Sequence, residues 1–593
     1  MQTNLVNEID KIQLVEVNMG KRDNFFNEDV SIVLCGQAGQ GIKTIELILV
    51  HVLKKSGYNV FSTKEYMSRI RGGSNSTLIS VSEKNIKSMS SKIDILIPLD
   101  MKAIEHVSNR ISDNTIILAD KTLFKDSKYQ IIDIPFIKTA KEVGNKIYEN
   151  IVACAAVLAL FDNGLDYLNQ YITNKFKNKS DSVINDNIEA AKKGYALGKA
   201  LYDDSIVKIN IKHNPKIKDD YFLNGNDAIG FGALMGGCNF ISSYPMSPGT
   251  GVLTFLSEKS KDMEIVVEQA EDEISAVNMG IGAWYAGSRA LVTTSGGGFA
   301  LMGEGISLSG IIETPIVIHL AQRPGPGTGL PTRTEQGDLE VALYSGHGEF
   351  PRIILAPSTI ESTVKVTAEA FNLADKFQSP VIILSDQYFL DTFYNVKDID
   401  LETKITNHIV KTDKDYKRYK LSETGLSPRG IPGYGDGLVC VDSDEHDEGG
   451  RITEDLDVRV AMTDKRLKKL ELIEDEIIEP DFIGSKNYET LIIGWGSTFN
   501  VIKEALEKIG NNTIGYLHFT QVYPISKKVK PYLEKAKKII IVENNATGQF
   551  AKLLTLSTGV EIHNKILKYN GLHFYLEELV EKIKELLGGV IKR

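Results

Sequence analysis

Cysteine is scarce in this chain of 593 residues: Cys35, Cys154, Cys238 and Cys440 lie far apart, and no CxxC pair occurs. Such spacing cannot by itself hold an iron–sulfur cluster or a structural zinc, and it gives no disulfide framework for so large a protein. Buried free thiols are expected instead. Also missing is a run of the ~18 apolar residues that a membrane span needs, and the first stretch of the chain is polar rather than signal-like. A cytoplasmic protein without membrane contact is expected. Clustered basic residues are missing too: 68 Lys and Arg against 78 Asp and Glu leave a formal charge of -10. A phosphate backbone is bound by clustered Lys and Arg, so nucleic acid is not an expected partner. The mild acidity is read as a solubility feature.

What is present is an ordinary globular composition, 42% hydrophobic and 25% charged, on a chain too long for one core. At about 150 residues per domain it predicts three or four units. Residues 29–34 (DVSIVL) have the pattern of a buried strand and run into GQAGQGIKT, a helix-like stretch and the strand-like NVFSTKEYM. In this opening Gly36, Gly39 and Gly41 either offer N–H groups to a phosphate at the helix start or simply close a tight turn. The spacing departs from GxGxxG, and Lys43-Thr44 comes one residue late for a P-loop. RIRGGSN, from Arg69, adds a Gly pair before another strand, and IDILIPLD, NTIILAD and the apolar helix from Asn150 follow. Residues 1–204 therefore read as an α/β domain with no obvious catalytic acid or nucleophile, and 205–221, polar and Lys-rich, as a linker.

A second α/β domain is expected over 222–396. Its strand CNFISSYP stops at Pro245, which places Tyr244 and the rest of YPMSPGT in a loop beyond the carboxyl end of a strand, where open α/β sheets put ligands. MEIVVEQ is read as the next strand, and it leads into a helix whose first turn crowds Glu271, Asp272 and Glu273. Acids there complement the helix dipole, and one alone needs no other explanation. TTSGGGFALM reads as strand, Gly-turn and helix, with Ser295 to Gly298 allowing close backbone approach. PIVIHLAQR is a strand before the loop PGPGTGLPTRTEQ, in which Arg333 by itself reads as a solvated arginine. Residues 397–486 form a charged, Gly-punctuated connecting segment; Glu445, His446, Asp447 and Glu448 there read as a solvated charge run rather than a metal site. A third α/β unit, 487–593, begins with YETLIIGWGSTF.

The ordered set YPMSP, EDEISAV, TTSGGGFALM and PTRTEQGDL resembles the α subunit of the 2-oxoacid:ferredoxin oxidoreductases, closest to the 2-oxoglutarate type. CGQAGQGIKT and RGGSN look like the γ domain of that family fused ahead of α. The resemblance implies three α/β domains: a γ-like domain, a thiamine-enzyme pyrimidine-binding-like domain and a transketolase C-terminal-like domain. It also implies a thiamine diphosphate enzyme that oxidatively decarboxylates a 2-oxoacid, by analogy 2-oxoglutarate, forms an acyl-CoA and reduces ferredoxin.

Carried over from the family, Glu273 is the carboxylate beside the aminopyrimidine ring, nine residues before Gly282-Ala283 as in the family's helix; Glu271 and Asp272 are second choices. Arg333, a planar bidentate donor, and Ser247, where the family usually has Thr, are expected to seat the oxoacid carboxylate. Tyr244, Pro245, Ser295, Gly296 and Gly297 are expected to line the cofactor, and the loop Gly36, Gly39 and Gly41 to meet CoA phosphates.

Thiamine diphosphate is usually anchored through Mg²⁺ by a GDG segment with a later Asn pair. Gly435-Asp436-Gly437 has no such pair at the right distance, since Asn544-Asn545 falls in another domain, and it is read as a surface coincidence. No metal is therefore expected on this chain. Mg²⁺ and a 4Fe–4S cluster are expected on a separate β subunit, with which the chain would form a hetero-oligomer sharing the thiamine site. Glu543, Asn544 and Gln549 either face an interface or CoA, or simply make loop hydrogen bonds. The competing reading is a non-catalytic nucleotide- or CoA-binding assembly subunit whose working element is the first Gly loop.

Overall fold

The computed structural model describes residues 25–68, 73–124 and 128–588; Arg69 to Gly72, which open RIRGGSN, lie outside them. The apolar runs read as strands build three larger sheets. Asp29–Gln37, buried along almost its whole length, lies inside the first, an eight-stranded sheet. In that sheet Ile95–Pro98 pairs parallel to it on one side and Ser74–Ser82 antiparallel on the other. The helix Ile42–Lys55 covers one face, with Ile45, Leu49, Val52 and Leu53 in the core.

The central sheet is parallel over Val266–Gln269, Phe240–Ser243, Ala290–Thr294, Ile316–Gln322, Pro380–Asp386 and Ile353–Leu355. Its inner strands Ala290–Thr294, Ile316–Gln322, Ile353–Leu355 and Pro380–Asp386 are buried throughout and largely apolar, as parallel strands covered on both faces are, whereas the edge strand Val266–Gln269 is mostly exposed. The third sheet, five-stranded, is built on Thr490–Trp495 between Ile514–Phe519 and Lys538–Glu543.

The sheets do not respect the expected domain limits. Phe393–Val396 and Tyr221–Leu223, at the two ends of the 222–396 unit, extend the N-terminal sheet: the first pairs antiparallel with Asn59–Glu65, and the second pairs antiparallel with the first and forms the edge. Gln521–Tyr523, from the third unit, closes the edge of the central sheet against Ile353–Leu355. The expected linker at 205–221 is also partly built into the fold: Lys208–Ile209 pairs parallel with Phe25–Phe26. Val207, Ile209 and Ile211, alternating with polar residues, are all buried, and it is this alternation that makes the segment a strand. A further apolar cluster joins Val33, Phe61 and Leu96 of the first sheet to Ala228, Ile360, Val364 and Tyr394, so the first two units share a packed interface.

All four cysteines are free. Cys35, Cys154 and Cys238 are buried and Cys440 is half-buried, and burial pushes the first three thiols up, Cys238 to about 12. No helix among the described residues is long and apolar enough to cross a membrane.

Candidate active site

Because the central strands are parallel, their carboxyl ends gather Tyr244, Glu273, Ser295 and Arg323 on one side of the sheet. The helix Glu273–Tyr285 packs on the sheet through Ala276, Val277, Gly280, Ile281 and Trp284 at helical spacing. A Cβ on Gly280 would lie 2.7 Å from Val292 Cγ2, so this approach requires glycine. Asp272 caps the helix, its carboxylate accepting from the Ser275 N–H at 2.7 Å. That leaves Glu273, at the first helical position, to turn inward.

Of the three clustered acids, Glu271 and Asp272 are exposed, whereas Glu273 is only 3% exposed. Its Oε1 is buried with no hydrogen-bond partner. Burial pushes its carboxyl pKa up, the charge of Asp272 adds to the rise, and the Arg323 guanidinium opposes it. A buried, orphaned carboxyl oxygen costs stability unless something completes it.

The Gly-turn is what makes room for that carboxyl. A Cβ on Gly298 would run into Glu273 Oε1 and lie 2.6 Å from its Cγ, while one on Gly296 would lie 2.6 Å from Asp338 Cγ. Gly297 between them looks into open space, its nearest neighbour being the Gly327 carbonyl at 3.8 Å. Ser295, fully buried, also carries an unpartnered hydroxyl.

Asp338 and Arg323 are members of this cluster that no sequence argument singled out. Asp338 Oδ2 is buried without a partner. Burial, reinforced by Glu335, pushes its pKa up to about 7 against the pull of Arg323. Arg323 faces both Glu273 and Asp338, and its Nη1 donates to the Ser247 carbonyl at 2.8 Å. The signal that could have found Arg323 is its place at the carboxyl end of the strand Ile316–Gln322.

Ser247 is thus brought to the cluster, in the loop with the exposed Tyr244 and the half-buried Pro245. Arg333 is held differently. Its Nη1 meets Glu65 Oε2 of the N-terminal sheet at 2.5 Å, so it is an interdomain ion-pair residue and not the solvated arginine it resembles in isolation. Its neighbours fasten the same loop: Thr332 Oγ1 donates to the Tyr66 carbonyl at 2.6 Å, and the Thr334 N–H to the Gly571 carbonyl at 3.1 Å.

Elsewhere the candidate residues have structural employment. Gly39 and Gly41 adopt φ of 93° and 81°, as a strand–turn–helix junction requires. The Gln37 N–H beside Gly36 already donates to Gln40 Oε1 at 2.6 Å and to Asp100 Oδ2 at 3.1 Å. Glu543 accepts from the Phe550 and Ala551 N–H groups, Asn544 donates to the Lys568 carbonyl, and Gln549 to the Gly337 carbonyl. These are loop hydrogen bonds within the chain. Asp436 of the GDG segment is exposed. The 445–448 stretch is not a solvated run: Glu445 pairs with the buried Arg466 at 2.9 Å, and His446 is buried against Tyr419. No cluster of His, Cys, Asp or Glu among the described residues could hold a metal ion.

The family model described as "Pyruvate flavodoxin/ferredoxin oxidoreductase, thiamine diP-bdg" matches residues 231–465, and that described as "Pyruvate ferredoxin/flavodoxin oxidoreductase" matches 31–197. The 2-oxoacid:ferredoxin oxidoreductase subunit alpha of a Sulfolobus species is 32% identical, over 95% of this chain and 98% of its own. The 2-oxoglutarate oxidoreductase subunit KorA of Mycobacterium tuberculosis is 26% identical, over 76% of this chain and 70% of its own. Among solved structures, the 2-oxoglutarate:ferredoxin oxidoreductase from Magnetococcus marinus, with 2-oxoglutarate, coenzyme A and succinyl-CoA bound, matches with a TM-score of 0.87 and 29% identity, over 94% of this chain and 99% of that one.

Proposed function

Since the chain belongs to the thiamine diphosphate-dependent 2-oxoacid:ferredoxin oxidoreductases as an alpha subunit, we propose that it carries the pyrimidine half of the active site of a 2-oxoglutarate-oxidising, CoA-dependent enzyme. The observation that carries this reading is the Glu273 carboxyl, buried, orphaned at Oε1 and seated over a turn that has no room for a side chain at Gly298. These residues fit thiamine diphosphate, which when bound supplies a nucleophilic carbon and an electron sink for decarboxylating a 2-oxoacid. Glu273, kept protonated more readily by burial, holds and moves a proton at the cofactor's ring nitrogen. Ser295, Gly296 and Gly297 let the backbone come close to the ring, and Tyr244 and Pro245 shape the same cleft.

The oxoacid carboxylate is seated by the Ser247 hydroxyl and by a guanidinium. Arg333 is the candidate that the family motif supplies, and Arg323 is a second that the cluster around Glu273 supports. 2-Oxoglutarate as substrate is supported by the name of the mycobacterial relative and by the ligands of the Magnetococcus enzyme, which also support CoA as acyl acceptor. The diphosphate anchor with its Mg²⁺ and the 4Fe–4S cluster that passes electrons to ferredoxin belong in this reading to a β subunit, and the γ-like Gly36–Gly41 loop is the candidate for CoA contact. A non-catalytic assembly role loses ground because the curated relatives that span nearly the whole chain are named oxidoreductase subunits.

The test is co-expression with the β partner and measurement of CoA-dependent viologen reduction by 2-oxoglutarate, pyruvate and branched oxoacids. Expected is a preference for 2-oxoglutarate and a loss of ~10²-fold or more in kcat for Glu273→Gln. Near-normal turnover by that variant would sink the assignment.

A further inference from the structure

The central sheet carries a second cluster of buried charge at the opposite end of its strands. At the amino ends of the strands Phe240–Ser243 and Ala290–Thr294 lies a cavity of about 200 Å³, lined among others by Asn239, Arg289, Asp375, Ile405, Asn407 and Arg429. Glu273 sits at the opposite end of the helix whose Trp284 carbonyl borders this cluster. The cavity is therefore separate from the cleft described above.

Two guanidiniums here face one carboxylate. Asp375 Oδ2 accepts from Arg289 Nη2 at 3.0 Å and from the His408 N–H at 3.3 Å, and its Oδ1 accepts from Arg429 Nη2 at 2.5 Å. The carboxylate thus accepts three hydrogen bonds, two of them from guanidiniums. Arg289 Nη1 donates to the Gly236 carbonyl and to Asn372 Oδ1, and its Nη2 also to the Thr406 carbonyl. Arg429 Nη1 donates to the Trp284 carbonyl at 3.2 Å, but its Nε is buried with no acceptor, in a residue only 3% exposed. Arg418 adds positive charge to the surroundings of Arg429. Buried cations are ordinarily matched by anions and buried donors by acceptors; here one positive charge and one donor are left over beside a cavity.

We infer that this cavity is a binding site for a small oxyanion, a carboxylate or inorganic phosphate, to which Arg429 Nε donates and whose charge balances the unmatched charge of the Arg289–Asp375–Arg429 cluster. The site suits a small anion rather than a nucleotide, because its volume is small and the apolar Ile405, itself half exposed, takes up part of its lining.

The experiment is calorimetric titration of the assembled complex with sodium phosphate and, separately, with sodium acetate. Saturable uptake of at least one is expected, and the tighter of the two names the source chemistry. Ile405→Trp, at a half-exposed lining position, enlarges the lining at the expense of the cavity and replaces a side chain that makes no guanidinium hydrogen bond. Arg429→Lys keeps the charge and removes Nε. Each is expected to weaken uptake about tenfold or more. Ile405→Trp decides the matter even if Arg429→Lys fails to fold. No saturable uptake of either anion by the wild type, or uptake unchanged in Ile405→Trp, overturns the inference, since phosphate could then only be binding elsewhere.

Discussion

Arg333 and Glu65 form an ion pair, Nη1 to Oε2 at 2.5 Å, that ties the PTRTEQ loop of the central unit to the last residue of the strand Asn59–Glu65 in the N-terminal sheet. Both side chains are largely buried, at 17% and 19% exposure, and His106 and Tyr575 stand in the field of the pair. The γ-like unit thus reaches the guanidinium that the family motif assigns to the substrate carboxylate.

If Arg333 seats the oxoacid, Glu65 competes for its charge. Glu65→Gln keeps the side-chain shape and removes the competitor. The expected outcome is a KM for 2-oxoglutarate about fivefold lower with kcat unchanged, the size of the ~1 kcal/mol that such a pair commonly represents. An unchanged KM across a range of oxoacids would reduce Arg333 to an interdomain fastener and leave Arg323 as the carboxylate donor.

Adjacent glycines of the turn predict opposite outcomes. Alanine at Gly298 would collide with the Glu273 carboxyl and with Thr294 Oγ1. Overpacking of that kind costs ~1–3 kcal/mol, so Gly298→Ala should melt lower than wild type and lose activity. Gly297 has nothing closer than 3.8 Å. Gly297→Ala should melt at or above the wild-type temperature without cofactor, yet bind thiamine diphosphate less tightly, because the open space beside it is where the cofactor is proposed to approach. Equal cofactor affinity in Gly297→Ala and wild type would move the cofactor away from this turn.

The site was legible to the extent that its chemistry lies in contiguous motifs. The acid cluster, the SGGG turn and the YPMSP loop announce themselves by residue type. The choice of Glu273 among three acids came from family likeness, and burial distinguishes it independently, since Glu271 and Asp272 are exposed. Arg323 and Asp338 were invisible for a physical reason: an arginine at a strand end and an aspartate after a glycine are ordinary loop residues until the parallel sheet brings them against Glu273. Edge pairing was equally hidden. Phe393–Val396 and Gln521–Tyr523 join sheets of other units through backbone hydrogen bonds, which leave little trace in side-chain pattern.

Asp338 predicts a pH signature. Burial raises its pKa from the ordinary 3.8 to about 7. Between those values the folded chain keeps a proton that the unfolded chain has released, so stability falls as pH rises, by at most ~1.4 kcal/mol per unit, and the penalty is constant once both forms are ionised. Asp338→Asn removes the group. The melting temperature of the cofactor-free wild type, measured relative to Asp338→Asn, should therefore decline from about pH 4 to about pH 7 and level off above it. Arg323→Gln should push the decline to higher pH, since Arg323 is the charge that opposes the shift. A difference between wild type and Asp338→Asn that does not vary with pH would mean that Asp338 is solvated in the folded chain.

The connecting segment is anchored by charge balance, and that balance sets the order of two mutational effects. Glu313 is buried and accepts from Lys465 Nζ at 2.6 and 2.8 Å on its two oxygens and from Lys469 Nζ at 3.0 Å. Arg418 Nη2 donates to its carbonyl at 2.6 Å. The neighbouring cations hold the Glu313 carboxyl well below the usual carboxylate range, and burial lowers Lys465 to about 8. Glu313→Gln strands three buried cations without an anion, for which a cost of ~3–5 kcal/mol is typical. Lys465→Met removes one of the three and leaves Glu313 paired with Lys469, so its cost should be the smaller. Thermal melting of both variants checks the order, and a greater loss in Lys465→Met would show that the packing of the helix Leu456–Asp475, rather than the anion at Glu313, fastens this segment to the central domain.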